Sequence, residues 1–557
     1  MSAKKLEYIL TLIAAILLVW LANQLANEYR VLWDFTEEKK YTLHSATQKV
    51  LEDLNEPVTI EVYLDGELPS NFQRFQNAID QNLTQFTIYA GRNLQYRFTN
   101  PSVASSEQAR NKYYRQLMDK GLQASNITYR AEGKQTERLV FPGAIISYRG
   151  REKVVNLLQG NRAKSPDEML NQSIEGLEYE LINAIAEIQK NQRKRIGYIM
   201  GHNEPDSLRI AGFTNAVLEK YDLFKIDLPS RRTPLTGYEA IIIGKPSSGF
   251  SRKEKFLLDQ YVMNGGNLIA FIDALEVDIT KVEGEGTVAF PYNLGLDDLF
   301  FKYGVRVNKD YVADVNCGTT PIVTGEVGNQ PRVEFLPWPY YPIITNYTKH
   351  PLVRNLDATW FRGAATLDTV KADGIKKTPL FLTSQYTRVF TPPVMVSYND
   401  LKEKLQPEAF TGGVHSLGYL LEGKFTSLFK NRILPSGVNK SEFREDGLDA
   451  KVILISDGDF IVNELDIDEG GPLPMGVDAY SKTTYANESF LINALDYMTD
   501  DDELMLARNR EIKIRPLDRV KVQEQSTRWR WINMTVPIAL IVLFGVTKAF
   551  IRKKKFS

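Results

Sequence analysis

The chain has 557 residues, with 68 Lys and Arg against 69 Asp and Glu and a formal net charge of −1. At 43% hydrophobic and 25% charged residues it has the balance of folded domains, which excludes a wholly disordered chain and gives no basic excess for nucleic acid. The single cysteine, Cys317, excludes an intrachain disulfide and any multi-cysteine metal site, and the four histidines at 44, 202, 350 and 415 are widely scattered.

Two apolar runs stand at the ends, Tyr8 to Leu25 and Ile532 to Phe550. Each is about 18 residues, near the lower bound for a helix that crosses a bilayer. In hydrocarbon the backbone must satisfy its own polar groups, so both runs are expected to be helical. Lys4 and Lys5 precede the first; Lys548, Arg552, Lys553, Lys554 and Lys555 surround the end of the second. The excess of positive charge at those outer ends places both termini in the cytoplasm. Arg528 and Arg530 oppose that orientation but are outnumbered, and Trp20, Trp529 and Trp531 suit interfacial belts. A cleaved signal peptide fits the first run less well, because its apolar stretch is too long and no clean cleavage site follows. The expected localisation is a bacterial inner membrane crossed twice, with the bulk of the chain in the periplasm, where a domain without disulfides is at home.

After the first run, Ser45 to Leu54 reads as a short helix broken by Pro57. Val58 to Leu64 alternates apolar and polar residues as a strand does. Phe72, Phe75, Ala78, Ile79, Leu83 and Phe86 then recur at helical spacing, and Leu94 to Phe98 is a second strand. Strand, long helix and strand predict a parallel βαβ unit of the kind that opens thioredoxin-like domains. The redox pair of cysteines is missing, so such a domain is chemically mute. Ser165-Pro166-Asp167-Glu168 starts a helix that runs through Leu177, Leu181, Ile185 and Ile188.

Beyond a basic linker, Ile196 to Met200 is an apolar strand leading into Gly201-His202-Asn203-Glu204-Pro205, with a helix expected to Lys220. Leu223 to Leu228, Ala240 to Gly244 and Asn267 to Asp273 are further strands, the second apolar throughout and therefore buried on both faces. Ser251 with Glu254 forms a capping box for the helix that ends at Asn264-Gly265-Gly266. The last strand of this set comes much later, at Val452 to Ser456, before Asp457-Gly458-Asp459. The pattern predicts a doubly wound, amidotransferase-like α/β domain carrying a β-rich insertion over about 275–450. The expected divisions are 1–27, cytoplasmic terminus and first membrane helix; 28–192, thioredoxin-like domain; 193–505, doubly wound domain; 506–531, membrane-proximal linker; and 532–557, second membrane helix and basic tail.

In open α/β sheets ligands bind beyond the carboxyl ends of the strands. That rule selects His202, Asn203, Glu204, Lys245, Asp273, Asp457 and Asp459 as candidate ligand-binding residues. His202 and Glu204 have the chemistry for metal binding or acid–base work, and equally for capping a helix and shaping a turn. Asp457 and Asp459 suit a divalent cation or a turn, and Asp273 a strand-end cap. Catalytic signatures are missing. Cys317 lies in Asn316-Cys317-Gly318, inside the insertion and not at the sharp strand-to-helix turn of an amidotransferase nucleophile. There is no Gly-x-Ser-x-Gly elbow, and Gly160 to Ser165 lacks the second glycine of a phosphate-binding loop, so the chain is not its own ATPase by that route. No cofactor, catalytic residue or metal centre is expected.

Several stretches together resemble a known family: the first membrane helix followed by Lys40-Tyr41-Thr42-Leu43; Val62-Tyr63-Leu64-Asp65-Gly66-Glu67-Leu68-Pro69; Phe98-Thr99-Asn100-Pro101; Gly201-His202-Asn203-Glu204; Tyr261-Val262-Met263-Asn264-Gly265-Gly266; and Gly458-Asp459-Phe460. In this order they resemble the gliding-motility-associated ABC-transporter auxiliary subunits of Bacteroidetes, over essentially the whole chain. The resemblance implies a non-enzymatic, extracytoplasmic accessory or substrate-binding subunit, partnered by an ABC permease subunit and a cytoplasmic ATPase subunit. It names no transported substrate. Two other readings stand beside it: a cell-envelope hydrolase using His202 and Glu204, and a glycan-binding membrane scaffold presenting Phe335, Trp338, Tyr340 and Tyr341.

Overall fold

The computed structural model describes residues 11–20, 42–103, 106–131, 134–159, 166–190, 192–277, 282, 286–327, 330–398, 401, 407–438, 441, 443–500, 504–509 and 519–556. Contacts divide the chain into two compact units, one holding 1–32 and 41–510 and the other holding 33–40 and 511–557.

The first helix, α1, is described over Thr11–Trp20. Its expected limits Tyr8 and Leu25 lie outside the described residues. The N-terminal lobe begins with α2 (Ser45–Glu52), followed by β1 (Val58–Val62), α3 (Ser70–Ala90) and β2 (Leu94–Phe98). β1 and β2 pair in parallel, as the βαβ pattern predicts. Then come α4 (Glu107–Asp119), the hairpin β3 (Ser125–Ala131) and β4 (Lys134–Val140), and the strands β5 (Gly143–Tyr148) and β6 (Arg151–Asn156). The sheet order is β2-β1-β5-β6, with β5 antiparallel to β1. Val58, Ile60 and Val62 alternate into a core that α3 closes with Phe75, Ile79, Leu83 and Phe86. The long helix α5 (Pro166–Gln189) seals the same core with Leu177, Leu181, Ile182 and Ile185.

The second lobe is built on β7 (Arg195–Met200), α6 (Ala211–Lys220), β8 (Asp222–Asp227), β9 (Ala240–Gly244), α7 (Arg252–Met263) and β10 (Asn267–Phe271). Among the described residues its sheet has ten strands. β8, β7, β9, β10 and the Asp446–Ile455 strand lie side by side in parallel. Alternate residues of β9 feed opposite cores. Ile241 and Ile243 meet α7 and α8 (Asp297–Tyr303) on one face; Ala240 and Ile242 meet α6 and α9 (Asn487–Thr499) on the other. This two-sided burial is why the strand carries no polar residue. Ser251 and Glu254 form both hydrogen bonds of the capping box that starts α7.

Two expectations change in detail. The helix after Pro205 begins only at Ala211, because the Asp206 carboxylate accepts the N–H groups of Leu208 and Arg209, at 3.0 and 2.9 Å, and holds a turn there. The insertion is β-rich but does not stand apart. Its Ser416–Thr426 strand runs antiparallel beside Asp446–Ile455, and Ile375–Leu382, Leu367–Thr369 and Val305–Val307 extend the same sheet. The remainder forms a long hairpin, Cys317–Val327 with Gln330–Ile344. Trp338 and Tyr340 on that hairpin are buried, Trp338 packing edge-on against Tyr398 with ring centroids 5.2 Å apart, so the aromatic run is mainly core, with Phe335 alone of the four strongly exposed.

The other unit contains α10 (Arg519–Phe556), which includes both Ile532 and Phe550. An 18-residue window of its Thr527–Ile551 stretch has a mean hydropathy of 2.1 and is unburied. It is the one described helix long and apolar enough to cross a membrane.

Candidate functional site

The turn after β7 separates its three candidate residues. His202 is 2% exposed, its ring stacked on Phe250 with centroids 3.6 Å apart. Its Nε2 lies 3.4 Å from Glu254 Oε2, and its Nδ1 faces Glu204 Oε1 at 3.5 Å, an ion-pair distance too long for a good hydrogen bond. Glu204 Oε2 accepts the N–H groups of Gly201 and His202, both at 2.9 Å. Burial pushes the imidazole pKa down, but Glu204 and Glu254 outweigh it and leave the pKa raised. Both carboxylates end up lowered, the penalty of burial being offset by hydrogen bonds that include those to His202. General acid–base work requires the ring to reach a substrate proton. Here it is sealed, and it ties the β7 turn to the N-terminus of α7.

The remaining candidates converge. Asp273 follows β10, Asp457 and Asp459 follow the adjacent parallel strand, and Lys245 follows β9 with φ at +47°. Lys245 Nζ lies 3.3 Å from Asp273 Oδ2 and bonds Asp459 Oδ2 directly. Gly458 N donates to Asp273 Oδ1 at 2.6 Å, Asp459 N to Asp457 Oδ1 at 2.8 Å, and Arg362 N to Asp457 Oδ2 at 2.6 Å. Burial and the neighbouring carboxylates raise the pKa of Asp457 well above the ordinary range. Burial also raises Asp273, against the pull of Lys245. Asp459 moves the other way: burial opposes its ionisation, but Lys245 and Arg362 prevail and hold it lowered.

The three aspartates bring ligand oxygens within 4.8 Å of one another, a spacing that suits a hard cation. The Lys245 ammonium already supplies the positive charge, and backbone N–H groups take three of the remaining oxygens. The donor set therefore fits an internal lysine better than a metal.

A cleft of about 300 Å³ opens beside this cluster, lined in part by Asn203, Arg209, Lys245, Ser247 and Asp459. Asn203 also has positive φ, +55°, and its carbonyl accepts the Ser247 hydroxyl at 3.1 Å. The turn thus places His202 and Glu204 inside the fold and Asn203 at the cleft.

Arg362 was not evident from sequence. It comes from the insertion, and its Nη2 donates to the carbonyls of Asp459 and Val462 at 2.8 and 2.5 Å while Nη1 lies 3.4 Å from Glu464. Its neighbours in sequence, Phe361 and Gly363, carry no motif; only the fold brings it to the strand ends.

A second cavity, of about 390 Å³, lies between the N-terminal lobe and the second lobe. Glu187 of α5 there pairs with Lys153 at 3.0 Å and with Lys220, and Lys220 pairs with Asp496 at 2.7 Å.

Comparison with known proteins bears on the second lobe most directly. A family model described as an ABC-type uncharacterized transport system matches residues 193–494. A model described as a domain of unknown function matches residues 37–147. No curated protein matches. Among solved structures the chain is similar to the mmIFT52 N-terminal domain, at 12% identity and a TM-score of 0.29, over 55% of this chain and 97% of that one. It is also similar to the exo-beta-1,4-mannosidase Op5Man5 from Opitutaceae bacterium strain TAV5, at 11% identity and a TM-score of 0.21, over 78% of this chain and 50% of that one. Both likenesses are too loose to carry an argument about fold or activity. The family match covers more than half of the sequence and includes every residue of the strand-end cluster, and by it the chain belongs to the ABC-type uncharacterized transport system family.

Proposed function

We propose that the chain is a non-enzymatic, extracytoplasmic accessory subunit of an ABC transporter. It is anchored at both ends in the inner membrane, works with a permease subunit and an ATPase subunit on other polypeptides, and takes part in gliding motility. The family match over 193–494 is the observation that carries this reading. α10 supports the C-terminal anchor, and the apolar sequence around α1 supports the N-terminal one. The gliding association rests on the resemblance of the sequence motifs. The sheet order β2-β1-β5-β6 supports a thioredoxin-like N-terminal domain, and the parallel strands of the second lobe support an amidotransferase-like one. In that lobe the cleft beside Lys245 and Asp459 is the place for a small polar ligand, and the sealed His202 supports a part in binding or force transmission over one in catalysis. Gentle detergent extraction tests the reading: a permease and an ATPase are expected to co-purify, and recovery as a lone, stable monomer overturns it.

A further inference from the structure

The segments that lead from this folded unit toward the two terminal helices meet on one element, α5. On the N-terminal side, α2 packs on α5, and His44 N–H donates to Glu178 of α5 at 2.6 Å. On the C-terminal side, the 3-10 helix Leu504–Asn509 packs against both α5 and α2. Leu504 joins the core of the N-terminal lobe although the whole second lobe intervenes in sequence. Met505, Ala507 and Arg508 are buried with it. The Arg508 guanidinium lies 5.4 Å from the Tyr179 ring centroid.

The same helix also holds the second lobe. Tyr179 Oη lies 3.4 Å from Asp496 of α9, and Gln172 Nε2 lies 3.5 Å from Asn355 Oδ1. Glu175 pairs with Arg354 at 3.9 Å, and Glu187 pairs with Lys220 of α6. Tyr179 therefore touches the C-terminal segment through its ring and the second lobe through its hydroxyl. A close-packed interface resists displacement. Here the cavity of about 390 Å³, bordered by Tyr179, Glu187, Lys220, Asp496, Leu504 and Met505, leaves room for it.

We propose that α5 is a coupling helix: the 504–509 segment, which precedes α10 in sequence, engages it, and Tyr179 and Glu187 pass its displacement to α9 and α6 of the second lobe. This rests on the anchored-subunit reading and gives it a mechanical route, in which a rigid element is biased by two sites at once. It also makes the N-terminal lobe discontinuous in sequence, completed by residues that follow the second lobe.

The test uses the full chain in lipid nanodiscs, without permease or ATPase, so that its failure leaves the transporter reading untouched. Spin labels are placed at Met118→Cys and Ile433→Cys in a Cys317→Ser background; both labelled positions are exposed and lie one in each lobe. The double variant Leu504→Asp, Met505→Asp is expected to undock the segment. Amide exchange over Glu175–Ile188 should then rise roughly tenfold or more, and the inter-lobe distance distribution should broaden, while β9 and β10 stay protected. An undocked segment with α5 exchange and inter-lobe distances unchanged overturns the proposal. Tyr179→Phe keeps the ring under Arg508 and removes only the hydroxyl. It is expected to broaden the distances with residues 504–509 still protected, and an unchanged distribution in this variant overturns the proposal even if the double variant fails to fold.

Discussion

Replacing Lys245 by methionine isolates the charge at the strand ends. Methionine preserves most of the stem and removes the ammonium that lies 3.3 Å from Asp273 and bonds Asp459. At that distance one such pair has a Coulomb energy of about 5 kcal/mol at an effective dielectric of about 20. Removing one partner of a buried pair costs about 3–5 kcal/mol, because the other charge is left uncompensated. The Lys245 side chain is 26% exposed, so solvent screens part of this and about 3 kcal/mol is the expected loss. The pH dependence follows from Asp459. Its carboxyl is lowered in the folded protein, so its contribution is present above the unfolded pKa and lost as pH falls through the folded one. Without Lys245 that contribution is largely gone, and protonation relieves the repulsion among the aspartates. The gap between wild type and variant is therefore widest near neutrality and closes on acidification. Urea unfolding followed by tryptophan fluorescence reads it. With a slope of about 1–3 kcal/mol per molar, the midpoint of the second-lobe transition should fall by about 1 M or more near pH 7.5 and by much less near pH 3, below the unfolded aspartate pKa of about 3.9. An equal shift at both pH values, or no shift at either, refutes the charge argument.

Two other titrations are expected to show themselves. Burial, with Asp314 nearby, pushes the Cys317 thiol up to about 12. Disulfide-exchange labelling near pH 8 should therefore run about a thousandfold slower than for a free thiol and recover fully in denaturant, and rapid labelling of the folded chain contradicts the burial. Burial drives His350 down to about 4, with Lys376 and Lys451 opposing its charge and Glu422 favouring it. A lowered histidine contributes stability that is complete above its unfolded pKa and lost as pH falls toward the folded one. Wild type should thus lose about 1–2 kcal/mol between about pH 6.5 and 4 that His350→Phe, which keeps a ring against Tyr497, does not lose; parallel melting curves across that range refute it.

Legibility varied with how local the cause was. The capping box at Ser251 and Glu254 and the apolar β9 depend on neighbours within a turn or on burial from both sides, and each can be read from a few residues. The strand-end rule selected Lys245, Asp273, Asp457 and Asp459, which the fold gathers into one cluster. The same rule selected His202, but nothing near it in sequence announces Phe250 as its cover or Glu254, already engaged in a cap, as its partner. Arg362 illustrates the harder case, since it reaches the cluster only because strands of the insertion join the central sheet. Sequence spacing measures nearness along the chain, and these contacts span about fifty to a hundred residues.

The position of the Asp446–Ile455 strand also sets a schedule. β10 can complete its pairing only when residues some 180 positions later are available, as in the match of Phe271 with Ile455. Until then one border of an almost wholly apolar strand has no neighbour, the circumstance in which nascent chains stick to one another. Long-range pairing of this kind is slow. On the proposed extracytoplasmic placement, that delay would let the chain be threaded across the membrane before its central sheet closes.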